Sequence, residues 1–169
     1  MRRDQVGGSF AVLDPEQQEF VATRRTATLV TLSERGRPRP VPICFVLVKP
    51  DPDHASMLLY SPLDEKPKHS RDVRDLARVR DIAARPEVTL LFEHWSEDWS
   101  QLAWLRALGR ARLVEPGDDA KAHESATRAL RAKYPQYRTH RLERAPMIRI
   151  TLETTVAWSA AAGHPPRTG

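Results

Sequence analysis

The chain has 169 residues and a mass of 19.2 kDa, with 40% hydrophobic and 29% charged residues, proportions of one globular domain that leave no place for wholesale disorder or a fibrous repeat. Lys and Arg outnumber Asp and Glu by 27 to 22, giving a net charge of +5 and a pI near 9.8; anionic partners are favoured, although composition does not separate nucleic acid, a phosphorylated cofactor and an acidic membrane surface. No apolar run approaches the roughly 18 residues of a membrane span, and Met1-Arg2-Arg3-Asp4 leads into no signal-peptide segment, so a cytoplasmic protein without a membrane partner is expected.

In chain order, residues 1–12 carry Gly7-Gly8-Ser9 without periodicity and read as a flexible tail. Asp14-Pro15-Glu16 is an N-cap followed by proline at the first helical position, and it predicts a helix over 14–24 with Leu13, Phe20 and Val21 on its apolar face. The β-branched run 26–32, the turn Glu34-Arg35-Gly36-Arg37 and the period-two series Val41, Ile43, Phe45, Leu47 predict a hairpin. Met57–Tyr60 reads as a third strand, Val88–Phe92 as a fourth and Leu102–Val114 as a long fifth, in meander-like order. Between the third and fourth, Val73, Leu76, Val79 and Ile82 mark one face of a short helix. Asp118-Asp119 caps a helix over 119–133 with Ala122, Ala126, Ala129 and Leu130 inside, and Met147–Leu152 alternates as a sixth strand extending toward Trp158. Residues 159–169 are small, Pro-rich and polar, a second tail, so a single domain is expected over 13–158. Hairpin-linked strands with flanking helices predict a small antiparallel barrel of α+β class rather than a parallel βαβ sheet.

Few residues carry a chemical signature. The six histidines are dispersed, no Gly-x-Ser-x-Gly occurs and no metal spacing stands out, so no metal is expected and no catalytic residue is assigned. His123-Glu124, adjacent on a helix, reads as a solvated surface pair, and the sole cysteine, Cys44, as a buried structural thiol. Tyr60-Ser61-Pro62 ends a strand just before Asp64-Glu65-Lys66-Pro67-Lys68, where two lysines flank a stiff proline. In an extended segment both ammonium groups point the same way, which suits a phosphate or else is a solvated basic loop. Arg71, Arg74, Arg78 and Arg80 enlarge the positive field. Pro38, Pro40 and Pro42 withhold N–H groups along one edge of the second strand, either to protect that edge or to let a flat ligand approach the backbone. Trp104, Arg106, Leu108 and Arg110 share one face of the fifth strand, fit for an interface or for stacking, while Trp99, in the preceding turn, is the better ligand candidate.

These pieces together, Thr28-Leu29-Val30-Thr31 with Gly36-Arg37-Pro38, the Lys66-Pro67-Lys68 loop, Arg85-Pro86-Glu87-Val88, and Asp98-Trp99 followed by Gly109-Arg110-Ala111, resemble the split β-barrel flavoproteins of pyridoxamine 5'-phosphate oxidase type. The likeness is greatest to the actinobacterial branch that uses the deazaflavin coenzyme F-420. The resemblance implies a six-stranded antiparallel split barrel of FMN-binding type and a homodimer with cofactor in the inter-subunit clefts. It implies an oxidoreductase passing hydride between F-420, or alternatively FMN, and a small-molecule substrate; a carrier that holds the cofactor without turnover is a further alternative. Lys66 and Lys68 match the positions that hold the cofactor phosphate, supplemented by Arg80; Pro42 and Ile43 border the ring, Ser61 closes the strand before the lysines, and Trp99 comes from the neighbouring subunit. A basic barrel with tryptophan on its rim also fits single-stranded nucleic acid, the least favoured partner.

Overall fold

The computed structural model describes residues 13–49, 57–63 and 72–161, together with the backbone at 167–168. The first helix, α1 (Pro15–Thr23), starts at a reciprocal capping box in which Asp14 accepts from Gln17 N at 2.8 Å and Gln17 accepts from Asp14 N at 3.3 Å. It delivers Leu13 and Val21 to the core. Strands β1 (Ala27–Leu32) and β2 (Pro38–Ile43) form the expected hairpin, and the turn between them places Gly36 at φ +71°, a conformation that only glycine adopts without strain. Strand β3 (Val46–Val48) pairs with β4 (Leu58–Pro62), and β5 (Glu87–His94) pairs with β6 (Ala103–Val114). Strand β7 (Met147–Ser159) follows, and the two-residue β8 (Arg167–Thr168), in the segment read as a tail, pairs with its far end. Helix α2 (Ala77–Ala84) packs on β1 and β6, and α3 (Ala120–Lys133) on β3.

All strands are antiparallel, in the order β2-β1-β5-β6-β7-β4-β3. The sheet therefore holds seven strands on its main path rather than the six anticipated, and it is not a simple meander. The extra strand arises where 41–47 was read as continuous: the chain breaks at Cys44-Phe45, and β2 and β3 occupy opposite margins of the sheet. The alternation hid the break because Val41, Ile43, Phe45 and Leu47 all face the same core on both sides of it. Flat, seven strands on this path would span about 29 Å. Ile43 and Val46, at its two margins, are three residue steps apart, at most about 11 Å of chain. The sheet must curl until its margins nearly meet, and since β2 and β3 do not pair, it is a split barrel.

Two cores result. Inside the barrel lie Leu29, Ile43, Phe45, Leu59, Leu90, Phe92, Leu105, Ile148, Ile150 and Leu152. Outside it, α3 covers Val46, Val48, Tyr60, Val114 and Met147 with Ala126 and Leu130. Between Leu108 and Gly109 the β6–β7 register shifts, so that Glu153 is the extra residue. Inward positions on β7 change there from 148, 150 and 152 to 157. A Cβ on Gly109 would stand 2.4 Å from Thr151 O and 3.2 Å from Ile150 Cγ2. Gly109→Ala is therefore expected to cost about 1–3 kcal/mol in urea unfolding; a midpoint equal to the parent's would show that the bulge yields freely.

Candidate cofactor site at the barrel split

The split is bounded on one side by β2. Ser33 N donates to Arg37 O at 3.0 Å, which sets the phase of the hairpin: Arg37, Arg39, Val41 and Ile43 turn their polar groups to β1. Pro38, Pro40 and Pro42, opposite Leu32, Val30 and Thr28, turn theirs to the open side. That margin thus offers carbonyl oxygens and no N–H groups. Arg85 secures the hairpin from beneath, donating to Ser33 O and Glu34 O at 3.1 Å each. This gives the Arg85-Pro86 pair a physical role, completed by Ala111 N donating to Pro86 O at 2.8 Å.

The crossing from β2 to β3 is held by Tyr134, the C-cap of α3. Its buried hydroxyl accepts from Phe45 N at 3.0 Å and lies 2.9 Å from both Arg25 O and Phe45 O, to one of which it donates. Burial raises its pKa to about 12, so it stays a neutral donor. Phe45 packs edge-on against Phe92, with centroids 5.1 Å apart, inside the barrel. Arg25 donates to Lys133 O at 2.6 Å and lies over the Tyr134 ring at 4.8 Å, while Lys133 Nζ sits 3.8 Å from the centroid of Phe45. Half-burial, followed by the charges of Arg25 and Arg24, lowers the Lys133 pKa to about 8.

At the other end of β1, Asp81 of α2 is buried; it accepts from Thr31 Oγ1 at 2.7 Å and pairs with Arg39 Nε at 3.0 Å. This joins α2, β1 and β2 through one carboxylate. Tyr60 is buried under α3, its pKa raised by desolvation against the opposing influence of Arg149.

The candidate residues fall at several places around this frame. Pro42 is exposed on the open margin, whereas the Ile43 side chain is buried in the barrel and its backbone polar groups turn to β1. Ser61 is buried on β4, opposite Ile148, one residue beyond the pair Tyr60–Val46 at the other side of the split. Lys66, Lys68 and Arg71 lie outside the described residues. Arg80 is exposed on α2, next to Asp81, while Trp99 is 72% exposed in the turn between β5 and β6. These two stand at opposite ends of β5, eight residues long, a separation of roughly 23 Å along the strand, so within one chain they do not meet. Of the other arginines, Arg74 is engaged with Glu115 at 2.7 Å and Asp72 at 3.3 Å.

Two readings need correction. His123 is not a solvated partner of Glu124: it is 5% exposed, with Nε2 2.9 Å from Ala145 O, while Glu124 is exposed. Cys44 is half-buried rather than buried, because it lies in the crossing itself. Tyr134, Arg25 and Lys133 drew no attention in the sequence, although the aromatic residue at the end of a strong helix was the available signal.

An α+β antiparallel barrel opened along one seam is the split-barrel fold of pyridoxamine 5'-phosphate oxidase type. The chain belongs to the pyridoxamine 5'-phosphate oxidase family, whose sequence model matches residues 13–159, and whose fold commonly binds flavin. None of the curated proteins matches it. Solved structures share the fold. A conserved hypothetical protein of Mycobacterium tuberculosis superposes with a TM-score of 0.66 at 16% identity, covering 95% of this chain and 93% of that one. HutZ, the heme storage protein of Vibrio cholerae, gives 0.59 at 15% identity, covering 88% and 95%. A Clostridium acetobutylicum protein related to general stress protein 26, of the pyridoxinephosphate oxidase family, gives 0.55 at 16%, covering 91% of each chain. No helix among the described residues is long and apolar enough to cross a membrane.

The depressed Lys133 makes a testable contribution to stability. Its pKa lies near 8 in the fold against 10.5 for a free side chain, so the unfolded state holds the proton more tightly. The stability gained by releasing it is complete above 10.5 and lost as pH falls through about 8. Against a Lys133→Met variant, which keeps the stem over Phe45, the parent should gain stability as pH rises through that window. Parallel pH profiles in chemical denaturation would contradict the assignment.

Proposed function

We propose that the protein is an F-420-dependent oxidoreductase that passes hydride between the deazaflavin and a small organic substrate, with FMN as the alternative cofactor. The observation that carries this reading is the open margin at Pro38, Pro40 and Pro42. A flavin or deazaflavin ring carries an imide N–H flanked by carbonyls; a strand edge with carbonyl acceptors and flat pyrrolidine rings can accept that N–H and lie against the ring. The motifs shared with the actinobacterial branch favour the deazaflavin over FMN.

When bound, the deazaflavin supplies or accepts the hydride, so no protein nucleophile is required. The chain's own residues position it. The Pro42 carbonyl and the Ile43 backbone border the ring, and Lys66 and Lys68, following the β4 end at Ser61, hold the tail phosphate with Arg80 in support. Trp99 of a second copy closes the ring side. Arg39, Asp81 and Thr31, by fixing β2 on β1 and α2, keep the margin rigid against the ring.

The test is a side-by-side titration of ligand-free protein with F-420 and FMN, with hemin as a third arm because HutZ stores heme. F-420 is expected to bind tightest, and Lys66→Ala or Lys68→Ala should each weaken it roughly tenfold to a hundredfold. FMN binding at least tenfold tighter than F-420 would reverse the cofactor assignment. Undiminished binding by the double lysine variant would return those lysines to a solvated loop.

A homodimer is proposed through the outer face of β5–β6–β7. There Trp104 stands opposite Trp158 and Arg106 opposite Val156, and Leu108 is 47% exposed. This face also sets Trp99, remote from its own Arg80, free to serve the other subunit. Sedimentation should give a dimer at micromolar concentration, and Leu108→Glu should shift it toward monomer and weaken cofactor binding. A parent monomer that still binds cofactor would defeat the shared site.

A further inference from the structure

Three cations converge where β2 crosses to β3. Arg24 and Arg25 end the connection from α1 to β1, and Lys133 ends α3. Arg25 has a structural occupation, capping the carbonyl of Lys133 and lying on Tyr134; a cation at a helix C-terminus needs no further explanation. Arg24, the C-cap of α1, and Lys133, in the last turn of α3, also stand at helix C-termini, but their side chains rest on different partners. Lys133 Nζ is carried over the rings of Phe45 and Tyr134, at 3.8 and 5.4 Å from their centroids. Arg24 rests its guanidinium on Phe20 at 4.8 Å, and its Nε is buried without a hydrogen-bond partner.

The groups that act on the Lys133 charge are Arg25, Arg24 and Cys44, and no carboxylate is among them. Elsewhere among the described residues, Arg39, Arg74, Arg110, Arg128 and Arg131 each have a carboxylate partner. Like charges half out of water repel more strongly than at an exposed surface, and an anion between them relieves the repulsion while taking up the idle donors. Phe45 is the crossing residue itself, so such an anion would sit at the mouth of the split.

We propose that Lys133 and Arg24 form an oxyanion-binding site at the mouth of the split, taking a carboxylate or phosphate group of a small-molecule ligand. The site is built from described residues alone and is defined without reference to any bound ring. An oxyanion held there strengthens the Lys133 ammonium, and affinity falls as that group loses its proton in mildly alkaline solution.

The test is isothermal titration of the full chain, free of cofactor, with tricarballylate as a carboxylate probe and pyrophosphate as a phosphate probe, at neutral pH and near pH 9.5. Binding of at least one probe is expected, and the stronger one identifies the preferred oxyanion. Lys133→Met and Arg24→Gln should each weaken it roughly tenfold. Lys133→Arg should restore binding and remove the pH dependence. The Lys66→Ala Lys68→Ala double variant should bind the probe as the parent does, even if it has lost the cofactor, so the two sites fail independently. If Lys133→Met does not fold, Arg24→Gln and the parent's own pH dependence decide. The proposal is overturned if neither probe binds, if binding ignores both pH and the Lys133 and Arg24 substitutions, or if the double lysine variant abolishes it.

Discussion

Two residues, Cys44 and Phe45, connect strands that lie at opposite margins of the sheet, and chain length there leaves the sheet no choice but to roll up. The inner core follows from that closure, because only a curled sheet brings Ile43 and Phe45 against Ile148 and Ile150 from β7. The split also follows. Six antiparallel pairings separate β2 from β3, so the two run in the same direction; a two-residue link cannot set parallel strands side by side as a ladder, and the unpaired backbone at the crossing must find partners elsewhere. Tyr134 provides them, since a tyrosine hydroxyl can accept from Phe45 N and still donate to a carbonyl. Helix α3 is thus more than a cover for the outer core: its last turn locks the seam.

Charge is distributed unevenly around this frame. On the α2 side the buried Asp81 pairs with Arg39 and is also satisfied by Thr31, and a buried carboxylate with two such partners is far less costly than an isolated one. Arg110–Glu87 and Arg74–Glu115 are exposed pairs of little energetic weight. At the seam Arg24, Arg25 and Lys133 gather around the C-termini of α1 and α3, ends that favour cations.

Most elements were legible because their signals were local. The Asp14-Pro15 start of α1, the Asp119 cap of α3 and the alternation of β6 are each decided by neighbours a few residues away. The break at Cys44-Phe45 was not, because the inward pattern continues unbroken through it; what changes is the strand's neighbour, which alternation does not encode. His123 misled for a similar reason. Its burial is set by Ala145, 22 residues on, and not by the polarity of Glu124 beside it. Among the candidate site residues, proline spacing located the open margin correctly because proline acts on its own backbone, whereas burial of the Ile43 and Ser61 side chains is a property of the closed barrel. Arg85 was noticed as part of a motif, but its work, gripping the carbonyls of a turn 52 residues earlier in the chain, becomes visible only in three dimensions.

The proline margin left two explanations open, protection of a sheet edge and approach of a flat ligand, and the register is compatible with both at once. To add a strand to β2, another chain would need both donors and acceptors on its outer side, and at Pro38, Pro40 and Pro42 half of that pattern is missing. Strand addition fails for want of donors. A small ring with a single N–H needs only an acceptor, and this margin presents carbonyl acceptors without competing donors. The edge discourages an added strand, and a barrel open at its seam can therefore remain so without inviting aggregation.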